Sequence, residues 1–439
     1  MSKESFIGGD YIEITGGSSK TYAGKNIENS SLGNQFTQNG LDSGVTYGIN
    51  GDPINITSAT VMDAYIAKFE DKKYIKINSA TVGDTVYVVV KTTGLVGKKI
   101  EVNLVDRNGV LNAKPYGMID ILQDDKDVQG LLSTSVNKEG LAVYKVKLQP
   151  SLEMKDLEDW SNKIKNTKDK KVDTCILVDA SKNNPDLEVI YLGRNEKNQE
   201  KDSEKSSKSN YWLDQNGSWF EIKYCECSIY YIDKELLNGP NVVHTKANNK
   251  VKGNTGIQKI SAIVLHRTIG SSISGAIAHS KGTHFYVEGA QGKDGEIFQP
   301  ITLNQYSNHI MNQTARTAHM EIQTENSIGI EVIGMAYYKV GKDLYTVYDT
   351  KVKAPDSVKL TKSFKGQRKI NGKWTNDDIY WDQLTDAQIK SVKCIVVNLM
   401  KKYGLKKENI FTHEEIQSKT AGEGQVVKDA IFPLLNECL

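Results

Sequence analysis

Residues 195–210, Asn-Glu-Lys-Asn-Gln-Glu-Lys-Asp-Ser-Glu-Lys-Ser-Ser-Lys-Ser-Asn, hold no apolar side chain. A stretch of that composition has nothing to bury, so no continuous core can run through it. It reads as a flexible linker. With 439 residues, 38% of them hydrophobic, there is material for two to four domains.

Ahead of the break, residues 1–55 carry Gly, Asn and Ser among short β-like runs such as Tyr11-Ile-Glu-Ile-Thr15. They have few large apolar residues and read as a small β-rich arm or docking segment, with a disordered tail as the alternative. Residues 56–194 are strand-like. Thr85–Lys91, Lys99–Val105, Leu141–Lys147 and Thr174–Val178 are β-branched runs separated by turn residues. The spacing predicts a β-sandwich of immunoglobulin-like architecture, with a charged, exposed helix or insertion at 156–170. Residues 195–240 are linker followed by a hairpin turning at Asn216-Gly217. In 241–439 strands and helices mix. The clearest helix is expected at 385–403, with Thr385 as N-cap, Gln388 completing a capping box and Gly404 closing it.

Lys+Arg and Asp+Glu nearly cancel, 56 against 54, so bulk charge offers no case for nucleic acid or an anionic membrane. No run approaches the length of a membrane span, and the N-terminus lacks the apolar stretch of a signal peptide. Five cysteines without regular spacing argue against a disulfide framework and for folding in a reducing cytoplasm. Cys225-Glu-Cys227 lacks a second pair, so structural thiols are expected there rather than a zinc ribbon.

The chemistry-bearing residues lie in the last part. Ser261-Ala-Ile-Val-Leu-His266 and Asn409-Ile-Phe-Thr-His413 are short strands that end in histidine, and Ile328-Gly-Ile-Glu331-Val-Ile333 sets a carboxylate in an apolar strand. Lys419 follows the second histidine. Imidazoles at strand ends are candidate zinc ligands, a nearby carboxylate can take a proton from water, and a cation can stabilise an oxyanion. By residue type alone, a strand-end histidine is more often simply packed. His244, His279 and His319 lie in polar surroundings and are read as solvated, as are the lysine pairs at 401–402 and 406–407.

The order of motifs carries more weight. Ile263-Val-Leu-His266-Arg-Thr268, Gly282-Thr-His284-Phe-Tyr286-Val, Asp294-Gly-Glu-Ile-Phe-Gln299, Ser327-Ile-Gly-Ile-Glu331 and Thr412-His413 with Lys419 occur in sequence. This resembles the N-acetylmuramoyl-L-alanine amidase family shared by phage lysozyme-type amidases and peptidoglycan recognition proteins, over roughly 255–435. The resemblance implies a C-terminal α/β domain with a mixed central sheet flanked by helices, and hydrolysis of the amide between N-acetylmuramic acid and L-alanine. It places His266 and His413 as zinc ligands, Glu331 as general base and Lys419 at the oxyanion. His309 resembles a substrate-facing histidine of the groove. His284 is grouped with it, although packing beneath the site is its more ordinary role. The family's usual third ligand falls where this chain has Ala421. Glu423, between two glycines, is the candidate in its place, with His309 or His284 in reserve.

More loosely, the front half resembles the β-rich arm and sandwich modules of bacterial contractile-secretion (type VI-like) effectors. That resemblance implies export from the cytoplasm without a signal peptide, peptidoglycan as target, docking to a tube or spike protein, and an immunity protein in the producing cell. The competing readings are a non-catalytic peptidoglycan-binding protein and a structural component of a secretion apparatus.

Overall fold

The computed structural model describes residues 59–191, 210–212, 220–278, 282–310, 318–370 and 373–439. The arm at 1–55, most of the polar linker, the Asn216-Gly217 turn and His279 lie outside the described residues.

Among the described residues the strand-like runs of the front half form two sheets of seven strands each. The segments expected as a separate hairpin, Asn210–Trp212 and Phe220–Lys223, each pair with Lys171–Asp179 in the second sheet, so they belong to this part rather than leading out of it. In one, Ala59–Glu70 and Leu141–Lys147 flank Thr85–Thr93, all antiparallel. In the other, Lys171–Asp179 lies between Lys99–Asp106 and Phe220–Lys223. Period-2 alternation turns Val86, Val88 and Val90 of the first sheet and Ile100, Val102 and Leu104 of the second into one shared core. The Tyr144 hydroxyl donates to the Ile100 carbonyl at 3.0 Å and so ties one sheet to the other. The charged segment is a helix, Met154–Lys165, and it is amphipathic rather than wholly exposed. Leu157, Trp160 and Ile164 pack into the same core.

The C-terminal part is built on a six-stranded sheet in the order Val242–Val243, Ile297–Phe298, Phe285–Val287, Ser327–Val332, Ala262–Arg267, Ile410–Thr412. Its pairs are parallel except the hairpin joining Phe285–Val287 to Ile297–Phe298, so the sheet is mixed. Asp386–Tyr403 is the expected helix. Thr385 Oγ1 accepts from the Gln388 amide, Gln388 reciprocates, and Gly404 ends the helix at φ 65°. The Thr385 hydroxyl also donates to Asp294, which fastens the hairpin tip to the helix start.

Two features depart from the sequence reading. The cysteines of the junction are not free thiols. Cys225 is bonded to Cys438 and Cys227 to Cys394, leaving Cys175 as a buried thiol outside both disulfides. Irregular spacing hid this because the partners lie 213 and 167 residues away and meet only when the chain has folded. Between the bridges, Glu226 and Glu437 both pair with the buried Lys393. The lysines at 401–402 are likewise not merely solvated. Lys401 reaches Asp84 and Thr81 of the sandwich, and Lys402 pairs with Glu235. The described residues accordingly fall in one compact unit.

Candidate metal centre

Register brings the histidines and the carboxylate together. Across the central sheet His266 pairs with Glu331, and Glu331 with Tyr286. Matched residues on neighbouring strands share a face, so these three stand in a row. On the other side Leu265 is opposite Thr412, which puts His413, the next residue, beside His266. There Thr412 caps a short helix, His413–Ile416, through a capping box with Glu415. The strand therefore stops and turns at His413.

The Nδ1 atoms of His266 and His413 lie 2.7 Å apart, and Glu423 Oε1 is 2.8 Å from His413 Nδ1. One ligand atom from each of the three falls within 4.8 Å of the others. Two nitrogens and a carboxylate oxygen converging on one point match the donor set of a tetrahedral divalent ion with a fourth position for water. His413 Nε2, facing away, donates to Gln417 Oε1 at 2.9 Å and leaves its Nδ1 lone pair for the centre.

Glu423 is brought inward by its loop. Gly422 has φ 83°, and a Cβ there would come within 2.6 Å of Phe364 and 2.9 Å of Trp381. The Trp381 indole donates to the Ala421 carbonyl at 2.9 Å, and Glu414 accepts from the Gly424 amide at 2.7 Å. A Cβ on Gly366 would come within 2.6 Å of the Ala421 methyl. The position where the resembling family carries its third ligand thus packs against a neighbouring sheet, while Glu423 takes the place beside His413. That neighbouring sheet (Ala336–Val340, Asp343–Thr346, Phe364–Ile370 and Lys373–Trp381) had no counterpart in the sequence reading.

Burial dominates the electrostatics. It pushes the Glu331 carboxyl up to about 8, with Glu423 adding to the rise and Lys419 opposing it. His266 is driven well below its ordinary range, first by burial and then by His413, His309 and Lys419, so it is a neutral imidazole, the form that ligates metals. Glu414 is raised to about 8, chiefly by burial and then by Glu423. Lys419 itself is exposed at the rim.

The structure gathers His266, His413, Glu331, Glu423 and Lys419 at one place. It does not present His309 and His284 to a groove. Both rings are enclosed behind His266, with His309 Nδ1 at 3.1 Å from His266 Nε2 and His284 Nε2 at 3.0 Å from the Gln305 carbonyl. Burial lowers His284 to about 4. Residues on a strand or loop behind the first histidine cannot be told from groove residues by motif order. His244 is also engaged, at 2.9 Å from the Leu237 carbonyl, whereas His319 is exposed as expected. Sequence reasoning missed Gln417, Glu414 and Trp381. Only Gln417 left a signal, since four residues after His413 it shares a helical face with it.

Residues 256–425 match the profile of the Amidase_2 family, described as N-acetylmuramoyl-L-alanine amidase. The match spans less than half of the chain and supports a peptidoglycan amidase activity for the C-terminal part. No curated protein matches the sequence.

Proposed function

We propose that the C-terminal part is a zinc-dependent N-acetylmuramoyl-L-alanine amidase whose ligands are His266 Nδ1, His413 Nδ1 and the Glu423 carboxylate. The observation that carries this reading is the convergence of those three donors at 2.7 and 2.8 Å, in a chain that has alanine at the family's usual third position. A zinc ion bound there would lower the pKa of its water to about 7 and polarise the scissile carbonyl.

The protein groups then have distinct tasks. Glu331, next to His266 in the sheet, is placed to accept a proton from the attacking water and to return it to the leaving amine. Lys419 brings an ammonium from the rim toward the oxyanion formed when the lactyl carbonyl is attacked. The products are the free stem peptide, beginning at L-alanine, and a glycan strand with an unsubstituted lactyl carboxylate.

The test is metal analysis of the full chain beside digestion of purified peptidoglycan. The wild type is expected to hold about one zinc per chain and to release stem peptides. His266→Ala and Glu423→Ala should lose zinc, and Glu331→Gln should keep zinc but lose activity. Glu423→Ala that retains zinc at full affinity would remove Glu423 from the ligand set. Tight peptidoglycan binding without peptide release in the zinc-loaded wild type would favour the binding-protein reading.

As part of the same proposal, the enzyme is an exported antibacterial effector, delivered by a contractile secretion apparatus and neutralised at home by an immunity protein. The two disulfides support work in an oxidising compartment, because such bonds persist outside the reducing cytoplasm. Co-purification with a tube or spike protein from the producing cell tests the delivery step.

A further inference from the structure

We propose that His309 is a positioning residue of the metal centre, part of a buried hydrogen-bond relay that fixes which nitrogen of His266 faces the ion. The inference rests on the zinc reading above and concerns how the chain prepares its own ligand.

The relay can be followed from its far end. Ser327 donates its hydroxyl proton to the backbone carbonyl of Gln323, an acceptor that cannot reverse. The Ser327 Oγ lone pairs are then free to accept, and His309 Nε2 lies 3.2 Å from that oxygen. With the His309 proton on Nε2, its Nδ1 is the acceptor of a neutral ring. That Nδ1 is 3.1 Å from His266 Nε2, so the His266 proton sits on Nε2. The His266 Nδ1 lone pair is left facing His413 Nδ1 and Glu423. Two backbone carbonyls, that of Gln323 through the serine hydroxyl and that of Ser327 itself at 3.4 Å from His309 Nε2, thereby set through His309 the tautomer of His266. A ligand's outer hydrogen bond commonly serves this purpose, with a carboxylate, carbonyl or water as partner. Here the partner is a second imidazole.

The Ser327–Val332 strand is shaped around this ring. Alternate residues share a face, so Ser327, Gly329 and Glu331 line up beneath the histidines. Ser327 closes the relay and Glu331 stands by His266. Between them a Cβ at Gly329 would come within 2.8 Å of the His309 ring. The Gly329 amide instead donates to His284 Nδ1 at 3.2 Å, and His284 packs edge-on to His309 at a ring separation of 5.9 Å. Ser-Ile-Gly-Ile-Glu is thus a strand with a slot cut for one imidazole.

The decisive pair of variants is His309→Asn and His309→Leu. The two side chains have nearly the same shape, but the Asn Oδ1 falls where the His Nδ1 was and can still accept from His266, while Leu cannot. Zinc affinity is measured on the full chain by competition with a chromophoric chelator, and the thermal midpoint is taken on the zinc-free protein. We expect His309→Leu to bind zinc about 10–100-fold more weakly and His309→Asn to stay within a few-fold of wild type, the usual range for loss of an outer partner. The zinc-free midpoints of the two should agree.

Equal losses in both variants would mean the ring only fills space, and unchanged affinity in both would mean it has no role. Either result overturns the proposal. Should His309→Leu fail to fold, His309→Ala takes its place beside His309→Asn: affinity lost in the Ala variant and kept in the Asn variant supports the relay, and equal affinity in the two refutes it. A wild type that takes up no zinc would instead remove the metal reading itself.

Discussion

Reduction of the two disulfides should loosen the C-terminal part more than any single side-chain change. The Cys225–Cys438 bond closes a loop of 213 residues, for which the chain-entropy relation gives about 5 kcal/mol at 25 °C. The second bond adds less than its own span suggests. Once the first is closed, the short route from Cys227 to Cys394 runs back through it, through about 46 residues, which corresponds to about 4 kcal/mol. Removing a native bridge typically costs ~2–5 kcal/mol, so the loop values are upper bounds. The assay is urea unfolding followed by tryptophan fluorescence, on oxidised wild type, reduced wild type and the Cys225→Ser/Cys438→Ser double variant. The double variant should unfold at a clearly lower midpoint, equivalent to roughly 2–5 kcal/mol. Full reduction should lower it further. Thiol titration in denaturant without reductant should find one thiol, Cys175. Five titratable thiols, or a midpoint indifferent to reductant, would refute the pairing.

Gly422→Ala should weaken the centre through its loop, because the left-handed φ of 83° and the indole of Trp381 both oppose a Cβ. A cost of ~1–3 kcal/mol and a lowered zinc affinity are expected, read by thermal unfolding and chelator competition; unchanged affinity would detach that loop from the metal. The zinc-free protein should lose stability with rising pH through Glu331. Its folded value of about 8 is above the ordinary 4.5, so its contribution is complete below about 4.5 and disappears as pH rises through 8. The midpoint difference between zinc-free wild type and Glu331→Gln should therefore vary across that window, and a constant difference would contradict a raised Glu331. Lys401→Ala removes a contact between the sandwich and the long helix, so limited proteolysis between the two should accelerate while zinc binding stays unchanged. Equal cleavage rates would show the contact to be dispensable.

Local rules made several elements legible. The Asp386–Tyr403 helix could be bounded from Thr385, Gln388 and Gly404, since capping depends on residues three apart. Alternating β-branched runs announced the strands of the front half, and the two strand-end histidines with Glu331 pointed to one sheet. The sheet at 336–381 was not legible, because its strands mix charged and aromatic residues without clean alternation. Ala421 illustrates the limit for the site. From spacing, it was a missing ligand and Glu423 only a neighbour; the positive φ at Gly422 and the hold of Trp381 on the loop are what turn Glu423 toward His413.

Sequence alone determined which residue types were available: two imidazoles after apolar strands, a carboxylate inside one, a lysine following, and a helix with its caps. Those are consequences of short-range periodicity and backbone chemistry. Tertiary structure decided the partners. Which cysteines bond, which lysine spans to the sandwich, and which histidine turns toward Glu423 while another stands behind it all depend on groups far apart in the chain arriving at one point. Burial then altered their chemistry, raising Glu331 and holding His266 neutral, because removal from water is a property of the folded surroundings.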